Sequence, residues 1–300
     1  MGLARLLWWL AAGECLLYGW WAVALAGRGW PVLLALPFAF LAGALGLRLL
    51  LVLAMFALDR RYHSPRPPLS PVGWLRLLWG EYRAFLVCYL WLHPLAPWRM
   101  QAMAGPWPSP HAPVILVHGF CCNAGFWAPL QVCLAARRIR SYTLNLEPVF
   151  GSIDDFARQL AERVETVRRE TGAPRVVLVG HSMGGLVSRI YVGDPHHARR
   201  VARLVTLGSP HRGTVLARLG RGRNVAQMRV LSPWLDGLNR AATPLIPVVS
   251  LYSLHDNIVI PQDSSELAGA ENHAWAGIGH LELGFSAPVY ERLLREITAA

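Results

Sequence analysis

The chain has 300 residues, which could form one large or two modest domains. With 54% hydrophobic residues and a mean hydropathy of +0.32, it is too apolar for an ordinary soluble protein. All 29 basic residues are arginine and the formal net charge is +11, a balance that the anionic leaflet of a membrane would attract. Because the arginines are scattered and no recognition motif accompanies them, the sequence argues against nucleic-acid binding.

Two apolar stretches at the front of the chain predict a transmembrane hairpin over residues 1–62. The first runs from Leu6 to Ala26 with Glu14 as its one charge, and the second runs from Pro31 to Leu58 with Arg48 as its one charge. Each reaches the roughly 20 residues that a helix needs to cross a bilayer. A signal peptide is the alternative for the first stretch, but this stretch is long and Trp-rich, and a second span follows it instead of a cleavage site.

The two lone charges of the hairpin are predicted to meet. If Leu6 and Leu58 lie at the same membrane face, Glu14 is about 12 Å deep and Arg48 about 15 Å deep, at about 1.5 Å of rise per residue. Either charge alone is costly in hydrocarbon, so an ion pair is expected. We interpret such a pair as a structural lock or an oligomer contact and not as a catalytic site.

The placement of arginine predicts the orientation of the hairpin. Arg5 precedes the first span, Arg60, Arg61 and Arg66 follow the second, and Arg28 alone lies in the loop between them. The positive-inside rule then puts both ends, and the domain that follows, in the cytoplasm. The five cysteines are odd in number and show no disulfide framework, which suits a reducing compartment.

Residues 63–112 are predicted to connect the hairpin to a folded domain over residues 113–300. The segment Ser64–Pro71 is rich in proline and is expected to be an extended linker. The following segment, Val72–Leu92, mixes charged residues with aromatics and leucines. This composition predicts a helix that either lies on the leaflet or packs against the folded domain.

From Pro113 onward, short apolar runs alternate with helical patterns. Ser152 is predicted to cap a helix, with Asp155 at the capping-box position, and Gly172 is predicted to end it. The other predicted helices are 126–138, a segment that ends near Tyr191, and 288–297. The predicted strands are 114–117, 142–146, 176–179, 203–207, 246–252 and, as a candidate, 274–278. Strands that alternate with helices predict an α/β fold with a doubly wound, mostly parallel sheet.

A nucleophile elbow follows the buried strand 176–179. The sequence Gly180-His-Ser182-Met183-Gly184 fits the G-x-S-x-G pattern, in which a serine stands exposed on a strained turn between a strand and a helix. Gly180 and Gly184 are needed because side chains at these positions would collide, and the N–H of Met183 is free to stabilise an oxyanion. The alternative is a glycine-rich turn with an ordinary serine, which the strand before and the helix after make less convincing.

An acid and a histidine are expected after the serine in the chain, each on a loop at the carboxyl end of a strand. His280 follows the last candidate strand, and Asp256 follows the strand that ends at Tyr252. Asp263, beyond Pro261, is the second choice for the acid.

The loop after the first strand of the domain is predicted to supply the second oxyanion donor. Gly119 allows the N–H of Phe120 to turn toward the serine. His118 is expected to hold this loop by hydrogen bonds.

These segments together resemble the bacterial triacylglycerol lipase and esterase branch of the α/β-hydrolases. The resemblance rests on residues 118–120, 180–185, 206–214, 253–261 and 277–283, and covers the chain from Pro113 to its C-terminus. It implies Ser182 as the nucleophile, His280 as the general base and then the general acid, and Asp256 as the residue that orients the histidine. It also implies a short lid over residues 214–242. Neither a metal site nor a cofactor site is expected.

The sequence therefore predicts a membrane-anchored serine esterase or lipase that acts on an acyl ester or lipid through an acyl-enzyme. We expect a two-pass protein of the bacterial inner membrane with its catalytic domain in the cytoplasm. An acyltransferase or a thioesterase on the same fold is one alternative, because the elbow would be unchanged. A catalytically inactive membrane scaffold is the other, although every expected catalytic position is filled.

Overall fold

Two long helices stand where the sequence predicts the hairpin. The structure is a computed structural model that describes residues 2–99, 109–241 and 245–300. Helix α1 is Leu3–Ala26 and α2 is Val32–Tyr62. By length and composition both could cross a membrane, with mean hydropathies of 1.3 and 2.3 in their most apolar windows. Most of their apolar side chains face outward, and Leu33 is 88% exposed.

The predicted pairing of the two lone charges is confirmed. Arg48 Nη1 lies 2.6 Å from Glu14 Oε2, and the Tyr18 hydroxyl donates to the same carboxylate oxygen at 3.2 Å. The guanidinium also donates to the carbonyl of Ala44 at 3.4 Å. The pair therefore joins α1 to α2 near the middle of each helix.

The connector begins with an extended segment and continues as a bent helical rod. Helix α3, Pro71–Leu86, is followed by a π-helical turn over Val87–Leu92 and by α4, His93–Arg99. The Ser70 hydroxyl caps α3 by accepting the N–H of Gly73 at 3.1 Å. Residues 100–108 of the predicted connector lie outside the described residues.

Helix α3 packs against the folded domain, which is one of the two arrangements that the sequence allows. Leu77, Ala84 and Cys88 are buried in the same apolar core as strand residues of the domain. The extended linker is also attached to the domain, since the Ser64 N–H donates to Gln262 Oε1 at 2.9 Å. The segment from Ser64 to Cys88 is therefore attached to the domain and is not a free tether.

Six parallel strands form the sheet of the domain, in the order β2-β1-β3-β4-β5-β6. The strands are β1 Val114–Val117, β2 Ser141–Thr143, β3 Val176–His181, β4 Val201–Leu207, β5 Val248–Ser253 and β6 Glu271–Trp275. All five neighbouring pairs are parallel. The carboxyl ends of β1, β3, β4 and β5 therefore meet at one edge of the sheet, where loops bring side chains together.

Helices cover both faces of this sheet. They are α5 Ala128–Ala135, α6 Ile153–Thr171, α7 Met183–Gly193, α8 Pro195–Ala198, α9 Arg223–Gln227, α10 Pro233–Arg240 and α11 Ala287–Thr298. Val114 and Leu116 of β1 face the core with α3, α5 and α11, whereas Ile115 and Val117 face the core with α6 and α7. This alternation confirms the predicted doubly wound α/β fold. Val52 of α2 also belongs to the first core.

Several predicted elements differ from those observed by one or two residues at an end, and three differ more. The last strand is Glu271–Trp275 and not 274–278, because it is an edge strand whose exposed polar residues leave no apolar run to detect. Strand β2 ends at Thr143, earlier than predicted. The helix predicted over 126–138 is a 3₁₀ turn over Ala124–Trp127 followed by α5. Helix α5 ends before Arg138, whose φ of 55° is not helical.

Ser152 caps α6 and Gly172 ends it, as predicted, but the capping box is not formed as expected. The Ser152 hydroxyl accepts the N–H of Asp154, whereas Asp155 pairs with Arg158.

Candidate active site

The candidate nucleophile Ser182 occupies the sharp turn between β3 and α7. Its backbone has φ 55° and ψ −124°, a strained conformation for a residue other than glycine. Two backbone hydrogen bonds maintain it: the Ser182 N–H donates to the Leu207 carbonyl at 2.8 Å, and the Gly185 N–H donates to the Ser182 carbonyl at 3.0 Å. The turn is thereby anchored to the neighbouring strand β4.

The elbow glycines lie where no side chain would fit. A β-carbon on Gly180 would lie 2.6 Å from the backbone of Gly184, and a β-carbon on Gly184 would overlap the carbonyl oxygen of Val117. Backbone atoms cannot move aside as a flexible side chain can. The start of α7 can therefore approach β1 and β3 this closely only because residues 180 and 184 have no side chains.

We expect Gly184→Ala to lower the free energy of unfolding by about 1–3 kcal/mol, the usual cost of overpacking. Thermal unfolding of the purified protein measures this loss. Gly193→Ala is the matched control at the other end of α7, because its β-carbon would meet open space. The control should unfold at the wild-type temperature or slightly above it, and equal stability of the two variants would contradict the steric argument.

The candidate acid and the candidate histidine form a buried pair. His280 Nδ1 lies 2.7 Å from Asp256 Oδ2, and both side chains are almost fully buried. The other oxygen, Oδ1, accepts the N–H groups of Ile258 and Val259, each at 2.8 Å. Burial acts to lower the pKa of His280, but the charge and hydrogen bond of Asp256, together with the charge of Glu81, outweigh it, so this pKa is raised above its ordinary value.

Gly208, at the end of β4, permits this pair to sit against the sheet. Its φ is +53°, and a β-carbon there would lie 3.2 Å from Asp256 Oδ2 and 3.3 Å from His280 Nδ1. A larger residue would crowd this pair and also Leu283, whose Cδ1 would lie 2.8 Å from the added β-carbon.

The second-choice acid lies elsewhere. Asp263 is half exposed and pairs with Arg212 at 3.0 Å, while its carboxylate accepts the Ser64 hydroxyl at 2.7 Å. Of the two candidates, the structure brings only Asp256 to His280.

His181, inside the elbow, contacts the backbone of His280. Its Nε2 lies 3.2 Å from the His280 carbonyl, which can only accept, so Nε2 carries the proton. Burial, together with the charge of His280, holds the pKa of His181 well below its usual range. The ring stacks on Phe126 with centroids 4.3 Å apart. A neutral His181 thus fixes the loop that bears the candidate base.

The two candidate oxyanion donors flank the serine. Met183 is the first residue of α7, so its N–H has no carbonyl partner inside that helix. Gly119 brings the loop of Phe120 close, since a β-carbon on Gly119 would lie 2.9 Å from Cβ of Ser182. Both Phe120 and Ser182 line the same pocket.

His118 holds the loop that carries Phe120. The Leu146 N–H donates to His118 Nε2 at 3.0 Å, so the proton resides on Nδ1, which donates to the Gly119 carbonyl at 2.9 Å. Burial lowers the pKa of His118 to about 4, which keeps the ring neutral. The histidine therefore has a bonding role, as the sequence predicts.

Glu81 of α3 forms hydrogen bonds to the backbone of the loop that bears His280. Its two carboxylate oxygens accept the N–H groups of Leu281 at 3.2 Å and Glu282 at 3.0 Å. Gly279 permits this approach, because a β-carbon there would overlap the Glu81 carboxylate. Burial raises the pKa of Glu81 to about 7, although the charge of His280 and the two N–H groups act in the opposite direction.

We expect Glu81→Gln to shift the acid limb of the pH profile of kcat/KM to lower pH, because ionised Glu81 raises the pKa of His280. The amide accepts from one N–H group where the carboxylate accepts from two, so kcat/KM above this limb should also fall about tenfold. Rates on a soluble short-chain ester across pH measure both effects. Glu291→Gln, on the exposed face of α11, is the control, and an unshifted limb in Glu81→Gln would refute the coupling.

An apolar pocket of about 260 Å³ contains Ser182 and His280. The segment over residues 214–242, predicted to be a lid, supplies one wall through Leu216, Val225 and Met228. It forms a 3₁₀ turn, α9 and α10, and its last residue, 242, lies outside the described residues. Met55 of α2 also lines the pocket, so the hairpin itself contributes to it.

Sequence reasoning missed Gly208, His181 and Glu81. For Glu81 a signal existed, because an acid among leucines and aromatics on a helix that packs against a domain must find a partner. For Gly208 and His181 the need arises from contacts between distant segments, and neighbouring residues in the sequence give no indication of it.

Comparisons with known proteins concern the fold and the sequence of this domain. Residues 112–229 match a family model described as alpha/beta hydrolase fold. The chain is 26% identical over 208 residues to the (Lyso)-N-acylphosphatidylethanolamine lipase of Homo sapiens, and this match covers 57% of this chain and 60% of that protein. It is also 40% identical over 114 residues to a triacylglycerol lipase of Pseudarthrobacter phenanthrenivorans, and this match covers 35% of this chain and 35% of that protein. The match thus spans no more than 60% of the length of either relative.

Among solved structures, the mature form of the Bacillus licheniformis lipase BlEst2 superposes with a TM-score of 0.58 at 18% identity. The superposition covers 65% of this chain and 97% of that one. At this identity the likeness concerns the fold. With its parallel sheet, its elbow after β3 and these matches, the domain that follows the hairpin has the α/β-hydrolase fold, and parts of its sequence are similar to the two lipases named above.

Proposed function

We propose that the chain is a membrane-anchored serine hydrolase that cleaves the carboxylic esters of acyl lipids. The observation that carries the proposal is that His280, hydrogen-bonded to the buried Asp256, lines one apolar pocket together with Ser182. An apolar pocket suits an acyl chain. The names of the relatives, lipases of an N-acylphosphatidylethanolamine and of triacylglycerol, support an ester of a lipid as the substrate.

In the proposed reaction, Ser182 Oγ attacks the ester carbonyl carbon while His280 Nε2 takes its proton. The N–H groups of Phe120 and Met183 stabilise the oxyanion. His280 then returns the proton to the leaving alkoxide, which departs as the alcohol and leaves an acyl-serine. Water attacks this acyl-enzyme as His280 accepts its proton, the fatty acid leaves, and Ser182 regains its hydrogen. Asp256 holds the imidazole and stabilises the imidazolium.

We further propose that α1 and α2 span the bacterial inner membrane and hold the domain over residues 113–300 at its cytoplasmic face. The arginines at both ends of the hairpin support this orientation. Fusions of a fluorescent protein and of a periplasmic phosphatase to the C-terminus test it. The first should be fluorescent and the second inactive, and the reverse pattern would overturn the orientation.

Full-length protein in phospholipid nanodiscs, supplied with p-nitrophenyl esters from butyrate to palmitate, tests the catalytic proposal. Turnover is expected, together with stoichiometric labelling by a fluorophosphonate on the peptide that contains Ser182. Product analysis with an added alcohol separates hydrolysis from acyl transfer. Absence of both turnover and label would refute the proposal and favour an inactive scaffold.

A further inference from the structure

A second cavity lies between the hairpin and the connector. Its volume is about 420 Å³, larger than the pocket of about 260 Å³ at Ser182. Helices α1 and α2 supply most of its wall, and Phe85, Tyr89 and Leu90 of the connector supply much of the remainder. The lining is predominantly apolar.

The two cavities adjoin each other. Tyr89 and Cys121 line both of them, and the Tyr89 hydroxyl donates to the Cys121 carbonyl at 3.2 Å. Leu51 lines the outer cavity and Met55 lines the inner pocket. Residues four apart lie on one face of a helix, so a single stripe of α2 runs along both cavities. Tyr89 and Cys121 form the partition between them.

The outer cavity opens where the hairpin is exposed. Trp8, Leu10 and Leu47 line it and are 50%, 54% and 39% exposed. The two charges in its wall are paired with each other, Glu14 with Arg48. A hydrocarbon chain in the cavity would therefore meet no unpaired charge, and bilayer lipid would stand at its mouth.

We propose that the outer cavity binds the distal part of the acyl chain of a membrane lipid whose ester carbonyl lies at Ser182. This inference rests on the proposed function and names the route of its substrate, which enters sideways from the leaflet, between α1 and the connector. A short acyl chain occupies only the inner pocket. A long chain extends past Tyr89 and Cys121 into the hairpin, so the hairpin sets the preference for long chains.

Filling the outer cavity tests the proposal. Ala11 lines it, whereas Ala12, the next residue of α1, does not and is exposed. Ala11→Trp should lower kcat/KM for the palmitoyl ester at least about tenfold and leave that for the butyryl ester within about twofold, because only the long chain needs the filled space. Ala12→Trp, the matched control, should change neither. An unchanged ratio of palmitoyl to butyryl activity in Ala11→Trp would overturn the proposal.

A binding measurement decides the matter independently of catalysis. Protein with Ser182→Ala is placed in vesicles of phosphatidylethanolamine and phosphatidylglycerol that contain a phospholipid with a diazirine at the end of its palmitoyl chain. After irradiation, adducts are expected on the peptides that contain Tyr89 and Cys121, with at least a severalfold decrease on adding Ala11→Trp and no decrease on adding Ala12→Trp. Absence of these adducts would overturn the cavity proposal even if ester hydrolysis is observed.

The two proposals fail in different ways. If the wild-type protein hydrolyses neither ester but the adducts form and respond to Ala11→Trp, the proposed function fails and lipid binding in the cavity stands. If Ala11→Trp loses butyryl activity as well, the ratio of the two activities no longer tests the cavity, and the adducts alone decide whether the cavity binds the acyl chain. Adducts that are equal in the Ala11→Trp and Ala12→Trp proteins would then refute the cavity as the binding site.

Discussion

Replacing Ser182 with alanine is expected to abolish fluorophosphonate labelling and to lower kcat/KM for a butyryl ester by about 10⁵-fold or more, the scale on which a triad nucleophile acts. The proposed route has no other group that could form the acyl-enzyme. The fold should survive, because the backbone bond from residue 182 to the Leu207 carbonyl does not involve the side chain. Alanine at the same positive φ is strained no more than serine.

Ser209→Ala is the matched control for this loss. Ser209 lies just after β4 at the same edge of the sheet, is fully buried, and its hydroxyl has no hydrogen-bond partner among the described residues. Removing an unsatisfied hydroxyl costs little stability. Ser209→Ala should therefore retain activity and the wild-type unfolding temperature. Comparable losses in the two variants would mean that Ser182 acts through packing and not as the nucleophile.

The part of the site that could be predicted is the part that local sterics dictate. An exposed serine on a strained turn requires glycines at fixed offsets, so the sequence around Ser182 shows the elbow directly. The β-branched run of β3 and the apolar run of β1 likewise predict buried central strands, and β1 was predicted with its observed bounds. His280 and Asp256 follow as candidates from the chain order and the strand-end positions that are typical of α/β-hydrolases.

What could not be predicted depends on contacts between segments far apart in the chain. The choice of Asp256 over Asp263 is decided by where the loop after β5 folds, and both acids follow the same strand. The edge strand β6 carries polar residues because one side of it is open, so a search for apolar runs misses it. The hydrogen bonds from the N–H groups of residues 281 and 282 to Glu81 join segments that are 200 residues apart in the chain.

The hairpin and the connector each reach a loop of the candidate site, which a division of the chain into anchor and enzyme does not predict. Asp59, at the end of α2, accepts the Gln262 side-chain amide at 2.5 Å, and the same amide donates to the Asp256 carbonyl at 2.6 Å. Glu81 of the connector holds the loop of His280 from the other side. The loops of Asp256 and His280 are thus each held by a segment that precedes residue 113.

Asp256→Asn is expected to lower kcat/KM by about 10³–10⁴-fold through the tautomer of His280. Oδ1 of Asp256 accepts two backbone N–H groups, from Ile258 and Val259. An amide at this position must keep its oxygen there, which turns its NH₂ group toward His280 Nδ1. That nitrogen then has to accept, so the imidazole proton moves to Nε2, and the base can no longer take the serine proton.

The remaining activity of Asp256→Asn should also change its pH dependence. The carboxylate raises the pKa of His280 against the effect of burial, so that pKa should fall without it, although the charge of Glu81 still acts to raise it. Because the neutral imidazole is the active form, the acid limb of kcat/KM should move to lower pH in the variant, and rates on a butyryl ester across pH measure this. Asp263→Asn is the control and should keep both the rate and the limb of the wild type. A larger loss in Asp263→Asn than in Asp256→Asn would assign the acid to the loop beyond Pro261, since the two carboxylates follow the same strand and only one of them contacts His280.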